Sequence, residues 1–283
     1  MKLLVIGNAT IDRFYRVDRL PLEGESVLAR RQAGQPGGKG LNQAVMAARS
    51  GAATALLTML GSDAAAEDLR AFLADEGLPE RWLLRHDGES DESLVVIGPA
   101  GENLIVTTRS AVSALPRPAV VAALDALEPE SLVLLQGNLD VALTTDALAR
   151  AKALGHRTLL NPSPVQPGLA ASLPSIDILI VNAQEAEAFA GLPVPVRITT
   201  LGAAGIRLEG PNGSQSIAAP EAKVVDTTGA GDVVAGVLAG RLALGEPLEQ
   251  ALMLAAAAAS LKVGRAGTGH ALPTAAEIAA LAG

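Results

Sequence analysis

Short apolar runs alternate along this chain with segments of helical periodicity, and this order limits the possible folds more than any other feature. The runs are apolar at nearly every position, which is typical of strands buried on both faces of a sheet. They lie at residues 3–6, 55–60, 132–135, 158–160, 176–181 and 196–200. Helical patterns closed by a glycine lie between them, at 41–48, 64–76, 145–154 and 184–190. The alternation predicts an α/β fold with a mostly parallel central sheet and helices on both faces.

Two stretches interrupt the alternation, because their strand patterns have no crossover helix between them. Residues 13–35 contain strand patterns at 14–17 and 26–31. Residues 92–108 have a hairpin pattern, with strands at 93–97 and 103–107 around a turn at 99–101. We expect these strands to form a small β-sheet that acts as a lid. Since the chain has neither repeats nor low-complexity linkers, we expect one domain over residues 1–283.

The composition narrows the possible partners. A formal charge of −8 and only 2% aromatic residues argue against a nucleic-acid or anionic-membrane surface. The chain has no cysteine, and His86, His156 and His270 lack metal-ligand spacing. The N-terminal apolar run is too short for a signal peptide, and no run reaches the length of a membrane span. We expect a cytoplasmic protein that binds small molecules.

The stretch DTTGAGDVVAG at 226–236 carries the strongest chemical signal. Gly229, Ala230 and Gly231 can turn successive backbone N–H groups onto one centre, and the apolar residues that follow predict a helix. Free N–H groups and the helix dipole at such a position favour an anion. Asp232 stands beside this turn as a carboxylate, and its plainer interpretation is an ordinary N-cap.

General phosphate-loop patterns do not fit this chain. GGKGLNQA at 37–44 is not a Walker A motif, because Ala33 replaces the first glycine and Gly40 follows the lysine. Residues 226–236 fail the dinucleotide-binding pattern, since Val234 stands where the third glycine belongs.

A third stretch, NAQEAE at 182–187, follows a predicted strand and begins a predicted helix. Asn182 and Glu185 have the spacing of a capping box, and the same position also suits a ligand site. The residues alone leave both interpretations open.

Together these stretches resemble the ribokinase-like (PfkB-type) carbohydrate kinase family, and the resemblance covers nearly the whole chain. GGKGLNQAVMAARSG is similar to the first family signature and DTTGAGDVVAG to the second. Further matching features occur in family order: Asn8 and Asp12, NPSP at 161–164, NAQEAE, TLGAAG at 200–205 and RAGTGHALP at 265–273. The resemblance implies a ribokinase-like fold and ATP-dependent phosphorylation of a sugar hydroxyl, with ribose as the first expectation.

The resemblance also implies residue roles on the sugar side. Asp232 would be the general base for the attacking hydroxyl, and the turn of Gly229, Ala230 and Gly231 would be the anion hole for the phosphoryl group. Asp12 would bind sugar hydroxyls from the end of the first strand, and the glycines would let the sugar approach closely. The implied substrate-binding residues are Asp12, Gly37, Gly38, Lys39, Asn42, Asn138 and Arg109. Lys39 either helps to hold phosphate or is solvated.

On the nucleotide side, the implied phosphate-binding residues are Asn182, Glu185, Thr200, Gly202, Gly205 and Gly231. Glu185 would also hold Mg²⁺ through water. A monovalent cation, usually K⁺ in this family, would lie behind the anion hole, with the Asp226 side chain and the carbonyls of Thr228, Lys262 and Gly267 as ligands. Ala271 replaces a serine that often completes this site, so activation by K⁺ stays open.

Several departures from the family pattern concern specificity. Asn138 stands where ribokinases carry a glutamate, and Arg109 stands where they have a small residue. Arg109, with Arg30 and Arg31 on a lid strand, is either a solvated charge or part of a site for an anionic substrate. The short segment 191–197 and Ala255 predict a more open adenine pocket, which leaves strict ATP specificity unsettled.

Alternatives to ribose are another polyol, a nucleoside, a sugar acid or a sugar phosphate. A weakly catalytic sugar-binding homologue is disfavoured by Asp232 and its flanking glycines. The exposed edges of the lid sheet favour a homodimer formed through the lid.

Overall fold

The protein is represented by a computed structural model that describes residues 1–99 and 101–282. The predicted turn at 99–101 therefore includes Ala100, which lies outside the described residues. The strands are β1 Leu3–Ile6, β2 Thr10–Val17, β3 Ala29–Arg31, β4 Gln35–Gly37, β5 Thr54–Leu60, β6 Leu83–Arg85, β7 Asp91–Ile97, β8 Asn103–Thr107, β9 Leu132–Gln136, β10 Arg157–Asn161, β11 Ile178–Asn182, β12 Val196–Thr200, β13 Ile206–Gly210 and β14 Gly213–Ile217. The helices are α1 Lys39–Arg49, α2 Ala64–Asp75, α3 Ser110–Ser113, α4 Arg117–Asp125, α5 Val141–Ala153, α6 Ala183–Ala188, α7 Ala230–Ala243, α8 Leu248–Val263 and α9 Ala275–Ala282.

The large sheet has the strand order β14-β13-β12-β11-β10-β9-β1-β5-β6. All pairs from β12 to β6 are parallel, and only β13 and β14 join antiparallel at one edge. The predicted mostly parallel α/β sheet is confirmed. The β13–β14 hairpin was not predicted, because β14 is almost wholly exposed and has no apolar run.

Helices cover both faces of this sheet, which explains why its strands are apolar at successive positions. Leu3 and Val5 of β1 pack with residues of α1, α2, α7, α8 and α9. Leu4 and Ile6 point to the opposite face and pack with residues of α3, α4 and α5. Each strand therefore contributes side chains to two separate aliphatic cores.

A second sheet of five strands has the order β3-β2-β7-β8, and β4 also pairs with β2. Its β7–β8 hairpin is the predicted one, and Ser93 pairs with Thr107 across it. The sheet begins earlier than expected, at Thr10, so Asp12 lies in a lid strand and not at the end of the first strand. The two sheets are thus linked directly through the three residues 7–9.

Helices α1 and α7 pack closely against each other, because two glycines of α7 face α1. A Cβ at Gly236 would lie 2.5 Å from the Gln43 carbonyl oxygen, and one at Gly240 would lie 2.8 Å from that of Ala47. This close contact brings the first turns of both helices together below the lid.

Candidate active site

A cavity of about 660 Å³ lies between the lid and the carboxyl ends of the parallel strands. Ser93, Val95 and Ile105 line it from the lid side. Asn161 and Asn182, the last residues of β10 and β11, line it from the sheet side. Open α/β sheets bind ligands at this edge, so the cavity is the candidate active site.

Asp232 lies in the first turn of α7 and is 5% exposed. It does not cap this helix: Gly229 is the N-cap, with no side-chain cap hydrogen bond. Its Oδ2 accepts a hydrogen bond from Asn42 Nδ2 at 3.1 Å, and its Oδ1 accepts one from Gln43 Nε2 at 3.0 Å. The ordinary capping interpretation of Asp232 is therefore wrong, and α1 holds this carboxylate at the cavity.

A series of hydrogen-bonded, buried side-chain amides fixes the orientation of Gln43, which donates to Asp232. Gln43 Nε2 also donates to Asn161 Oδ1 at 3.0 Å, and Gln43 Oε1 accepts from Gln136 Nε2 at 2.8 Å. Asn161 Nδ2 in turn donates to the carbonyl of Ile180 at 2.9 Å. Because the Asp232 carboxylate and the Ile180 carbonyl can only accept, these contacts set which way Gln43 donates.

Sequence reasoning did not assign functions to Gln43, Gln136 or Asn161. A signal for them exists, since each is a polar residue in an otherwise apolar buried segment. Gln43 interrupts the apolar face of α1, and the other two end the apolar strands β9 and β10.

Asp12 is the second buried carboxylate at the cavity, with 4% exposure. Its Oδ1 accepts from Thr10 Oγ1 and its Oδ2 from Thr268 Oγ1, both at 2.7 Å. Thr10 Oγ1 accepts from Ser93 Oγ at 3.3 Å, and Ser93 Oγ accepts from Thr107 Oγ1 at 3.1 Å. Burial raises the pKa of Asp12; these hydroxyls oppose the rise, and the nearby charge of Asp232 adds to it. Thr268 is a site residue that sequence reasoning missed.

Two glycines before α1, Gly37 and Gly38, lie where neighbouring protein atoms leave no room for a side chain. A Cβ at Gly37 would lie 2.0 Å from Asp12 Oδ2, and one at Gly38 would lie 3.0 Å from the backbone of Asn8 and Thr10. They therefore make room for Asp12 and its strand, and of the two only Gly38 lines the cavity.

The turn before α7 has two glycines with different constraints. Gly229 has a φ of 79°, a left-handed conformation that favours glycine. A Cβ at Gly231, in contrast, would meet no heavy atom within 4 Å, and Gly231 lines the cavity. No protein atom explains this second glycine, so the space in front of it suits a ligand. Ala230, between them, does not line the cavity.

Buried acceptors of the cavity suit a ligand rich in hydroxyl groups. The Oδ1 atoms of Asn42 and Asn138 are buried and accept no hydrogen bond among the described residues. Both residues line the cavity, and a sugar hydroxyl can donate to each oxygen.

Two cationic side chains, Lys39 and Arg109, also line the cavity. Arg109 Nη1 donates to Gln166 Oε1 at 3.3 Å. Arg30 and Arg31 do not line the cavity and are exposed on β3. Of the predicted arginines, only Arg109 is thus placed to meet a substrate.

Asn182, Glu185 and Thr200 line the other end of the cavity. Asn182 and Thr200 are paired at the ends of β11 and β12. Asn182 Oδ1 accepts from Glu185 N at 2.7 Å, and Glu185 Oε2 accepts from Asn182 N at 3.0 Å, which completes a capping box. Glu185 Oε1 accepts no hydrogen bond among the described residues, so one oxygen suits a water-bound Mg²⁺.

Gly202 and Gly205 do not line the cavity. A Cβ at Gly205 would lie 2.1 Å from the carbonyl oxygen of Ile217, so close packing against β14 requires this glycine. Gly202 has open space around it and a φ of 59°.

The expected cation ligands lie in two loops behind the turn, and the Lys262 side chain lies between these loops. Asp226 Oδ1 accepts from Thr228 N at 2.9 Å, and its Oδ2 accepts from Gly267 N at 2.8 Å. Lys262 was expected to contribute its carbonyl, yet that carbonyl accepts from Arg265 N at 2.9 Å. The fully buried Lys262 side chain points between the loops instead. Burial lowers the pKa of this ammonium, and the charge of Asp226 opposes the fall.

No group of three or more His, Cys, Asp or Glu side chains that could hold a metal occurs in residues 1–99 and 101–282. Within the same residues, none of the helices has the length and hydropathy needed to cross a membrane.

The signatures of the pfkB family of carbohydrate kinases match residues 1–275, and the chain belongs to this family. It is therefore a phosphotransferase that uses ATP to phosphorylate a sugar hydroxyl. A ribokinase from Bacillus subtilis (strain 168) is 31% identical over 98% of this chain and 97% of its own length. The chain is also 31% identical to the bifunctional ribokinase/ribose-5-phosphate isomerase A of Fructilactobacillus sanfranciscensis, and it spans 54% of that longer protein.

The fold agrees with this assignment. The structure of Arabidopsis thaliana ribokinase complexed with ribose and ATP has a TM-score of 0.79 and 26% identity. That comparison covers 99% of this chain and 98% of the plant protein. The expected ribokinase-like fold and kinase class are thus confirmed.

Proposed function

We propose that the enzyme phosphorylates a neutral pentose, with ribose as the preferred substrate and Asp232 as the general base. This proposal rests on the placement of Asp232. Its buried carboxylate lies at the N-terminus of α7, where two side-chain amides hold it at a cavity lined by groups that can bind hydroxyls. In this role, Asp232 accepts the proton of the attacking hydroxyl. The relatives named ribokinase supply the choice of ribose.

The turn at 229–231 acts in this proposal as the anion hole for the transferred phosphoryl group. Gly229 and Gly231 line the cavity at the N-terminus of α7, and a Cβ at Gly231 would meet open space. The Ala230 N–H donates to the Thr227 carbonyl at 3.2 Å, so Gly229 and Gly231 are the main candidates for the anion hole. Phosphoryl transfer depends mainly on positioning and charge stabilisation, which fixed amides supply without reorganisation.

Asp12, Asn42 and Asn138 bind the sugar hydroxyls, since their oxygens line the cavity and the two amide oxygens have no other donor among the described residues. Asn182, Glu185 and Thr200 bind the ATP phosphates. Glu185 holds Mg²⁺ through water, and this ion neutralises phosphate charge when bound. Gly202 and Gly205 shape the adjoining loop.

Replacement of Asp232 by Asn tests the base, because the amide keeps the shape and removes the proton acceptor. We expect turnover to fall by about 10²–10⁴-fold with an unchanged KM for the sugar. Asp68→Asn, an exposed position on α2, is the matched control and should keep full activity. A loss of less than about fivefold in Asp232→Asn would contradict the base role.

A coupled ADP-release assay across ribose, other neutral polyols, nucleosides, sugar acids and phosphosugars tests the substrate. Ribose should give the highest kcat/KM. A higher value for any other class would reject ribose while leaving the Asp232 assignment to its own test.

An anionic substrate is the second candidate, and Arg109 is the observation that favours it. This guanidinium lines the cavity and pairs with a neutral amide, so its charge is available. If a sugar acid is preferred, Arg109→Gln should raise its KM about tenfold or more and leave that of ribose unchanged.

We also propose that residues 1–283 act as one catalytic domain and that the lid sheet forms a homodimer. Leu94, Val96, Leu104 and Val106 share the lid face opposite the cavity, and three of them are at least 40% exposed. Such an apolar face favours association. Cytoplasmic location stays a prediction.

A further inference from the structure

We propose that the ammonium of Lys262 replaces a bound monovalent cation behind the anion hole, so that catalysis does not depend on K⁺. The activity measurements that test this inference depend on the proposed role of the 229–231 turn. A separate readout, thermal stability in different salts, is independent of that role.

The first observation is where this side chain ends. Lys262 is fully buried in the last turn of α8, and its Nζ donates to the carbonyl of Arg265 at 3.1 Å and to that of Asp226 at 3.5 Å. Buried lysines are rare unless they are paired, and here the partners come from both loops that were expected to surround a cation.

The second observation is that the Asp226 carboxylate already has two hydrogen-bond donors. Both carboxylate oxygens of Asp226 accept backbone N–H groups, from Thr228 and Gly267. The ammonium takes the adjacent carbonyls and supplies the positive charge that a buried carboxylate needs. A second cation beside it would meet a like charge in a place screened from water.

The third observation connects Lys262 to the catalytic turn. A Cβ on Gly229 would lie 3.9 Å from Lys262 Cε, so the lysine stem packs directly beneath the N-cap of α7. Asp226 opens the loop that leads to this turn, and Thr228 lies within it. Lys262 is therefore a positioning residue: it ties the 264–268 loop to the loop that carries the anion hole.

The parent enzyme gives the first test. Its sugar kinase rate and its Tm are measured in KCl, NaCl and tetramethylammonium chloride at equal ionic strength, with nucleotide free of K⁺. We expect rates within about twofold and equal Tm values, because no site binds K⁺. A K⁺-specific rise in Tm, or activation of about tenfold or more, would overturn the proposal.

Two variants separate a charge role from a packing role. Lys262→Ala removes the stem and the charge, which opens space for an ion. In tetramethylammonium chloride we expect its turnover to be about 10²-fold lower than that of the parent. Replacement of this salt by KCl should raise the turnover of the variant about tenfold and should also raise its Tm. Lys262→Met keeps the stem, so K⁺ should restore nothing.

Lys223→Ala is the matched control, because Lys223 is exposed on the loop before Asp226. It should retain parental turnover and Tm in all three salts. Full activity of Lys262→Ala without K⁺, or absence of K⁺ rescue in a folded Lys262→Ala, would contradict the proposal. If neither Lys262 variant folds, crystals of the parent soaked in RbCl decide: an anomalous peak beside Asp226 overturns the proposal, and none there supports it.

Discussion

At the scale of single residues, the two buried carboxylates of the cavity are held by chemically different partners. Hydroxyl groups of Thr10 and Thr268 hold Asp12, whereas amide groups of Asn42 and Gln43 hold Asp232. Hydroxyls can rotate to accept as well as donate, but an amide nitrogen can only donate. Asp12 therefore tolerates a change of protonation, and Asp232 is held as an acceptor.

Asp12→Asn should separate stability from function. Burial raises the pKa of Asp12 in the folded protein. Above this raised pKa, the buried negative charge lowers the free energy of unfolding, and this destabilisation disappears as the pH falls through the pKa and the carboxylate is protonated. We expect the variant to have a Tm at least equal to that of the parent at about pH 8, with the difference vanishing toward about pH 4. Its KM for sugar should rise about tenfold or more.

Scanning calorimetry over this pH range and steady-state kinetics check the expectation for Asp12. A variant that is less stable than the parent at the higher pH would show that the hydroxyl network outweighs the cost of burial.

Gly231→Ala tests whether the open space beside the turn belongs to a ligand. A Cβ there meets no protein atom within 4 Å, so the fold should be unaffected and Tm unchanged. Turnover should fall by about 10²-fold, since the methyl group occupies the place of the phosphoryl group. Gly210→Ala, where the nearest atom would lie 3.7 Å away and far from the cavity, is the control. Parental activity of Gly231→Ala would contradict the anion hole.

At the scale of elements, the contact between α1 and α7 places Asp232, the proposed base. Gly236 and Gly240 lie one turn apart on α7 and let its backbone approach α1. This approach sets Asn42 and Gln43 within hydrogen-bond distance of Asp232. The second signature therefore carries both the candidate base and the helix face that positions it.

Gly236→Ala should move α1 away from α7, because the new Cβ would lie 2.5 Å from the Gln43 carbonyl oxygen. We expect a loss of about 1–3 kcal/mol in the free energy of unfolding, typical of overpacking, and a lower kcat. Urea unfolding and kinetics measure the two effects, again with Gly210→Ala as the control. An unchanged kcat would mean that the α1–α7 distance does not set the position of Asp232.

At the scale of the whole molecule, the lid sheet has two unlike faces. Its inner face lines the cavity with Ser93, Val95 and Thr107, and its outer face carries exposed Leu94 and Val106. The inner face thus mixes polar and apolar side chains against the substrate, and the apolar outer surface favours a partner.

The dimer prediction concerns this outer face. Introducing charge through Leu94→Glu and Val106→Glu should convert a dimer into a monomer, because two carboxylates would be buried unpaired. Leu154→Glu, with 42% exposure after α5, is the control and should stay dimeric. Size-exclusion chromatography with light scattering measures the mass. A monomeric parent protein, or a dimeric double variant, would contradict association through the lid.

The apolar periodicity of the sequence was enough to predict the parallel core of the sheet, helices α1, α2, α5, α6 and α7, and the β7–β8 hairpin. It did not predict β6 or helices α3, α4 and α9. The predicted elements follow local rules, since a strand buried on both faces needs apolar residues throughout and a helix needs its own spacing. The exposed β13–β14 hairpin has no such periodicity and was missed. The site residues Gln43, Gln136, Asn161 and Thr268 were missed because their roles arise from contacts between segments far apart in the chain.

The sequence by itself therefore determined the fold class, the family and the identity of the candidate base, through short motifs that carry their own local geometry. Only the tertiary structure decided what surrounds Asp226. The side chain of Lys262 donates to the carbonyl of Arg265, three residues away, and to that of Asp226, 36 residues away in the chain. The spacing of motifs gives the position of a backbone carbonyl, but it cannot show which way a long flexible side chain will fold. The burial of that charge among carbonyl acceptors is a tertiary contact, which no pattern of residues predicts, and it is the observation behind the proposed replacement of a cation by Lys262.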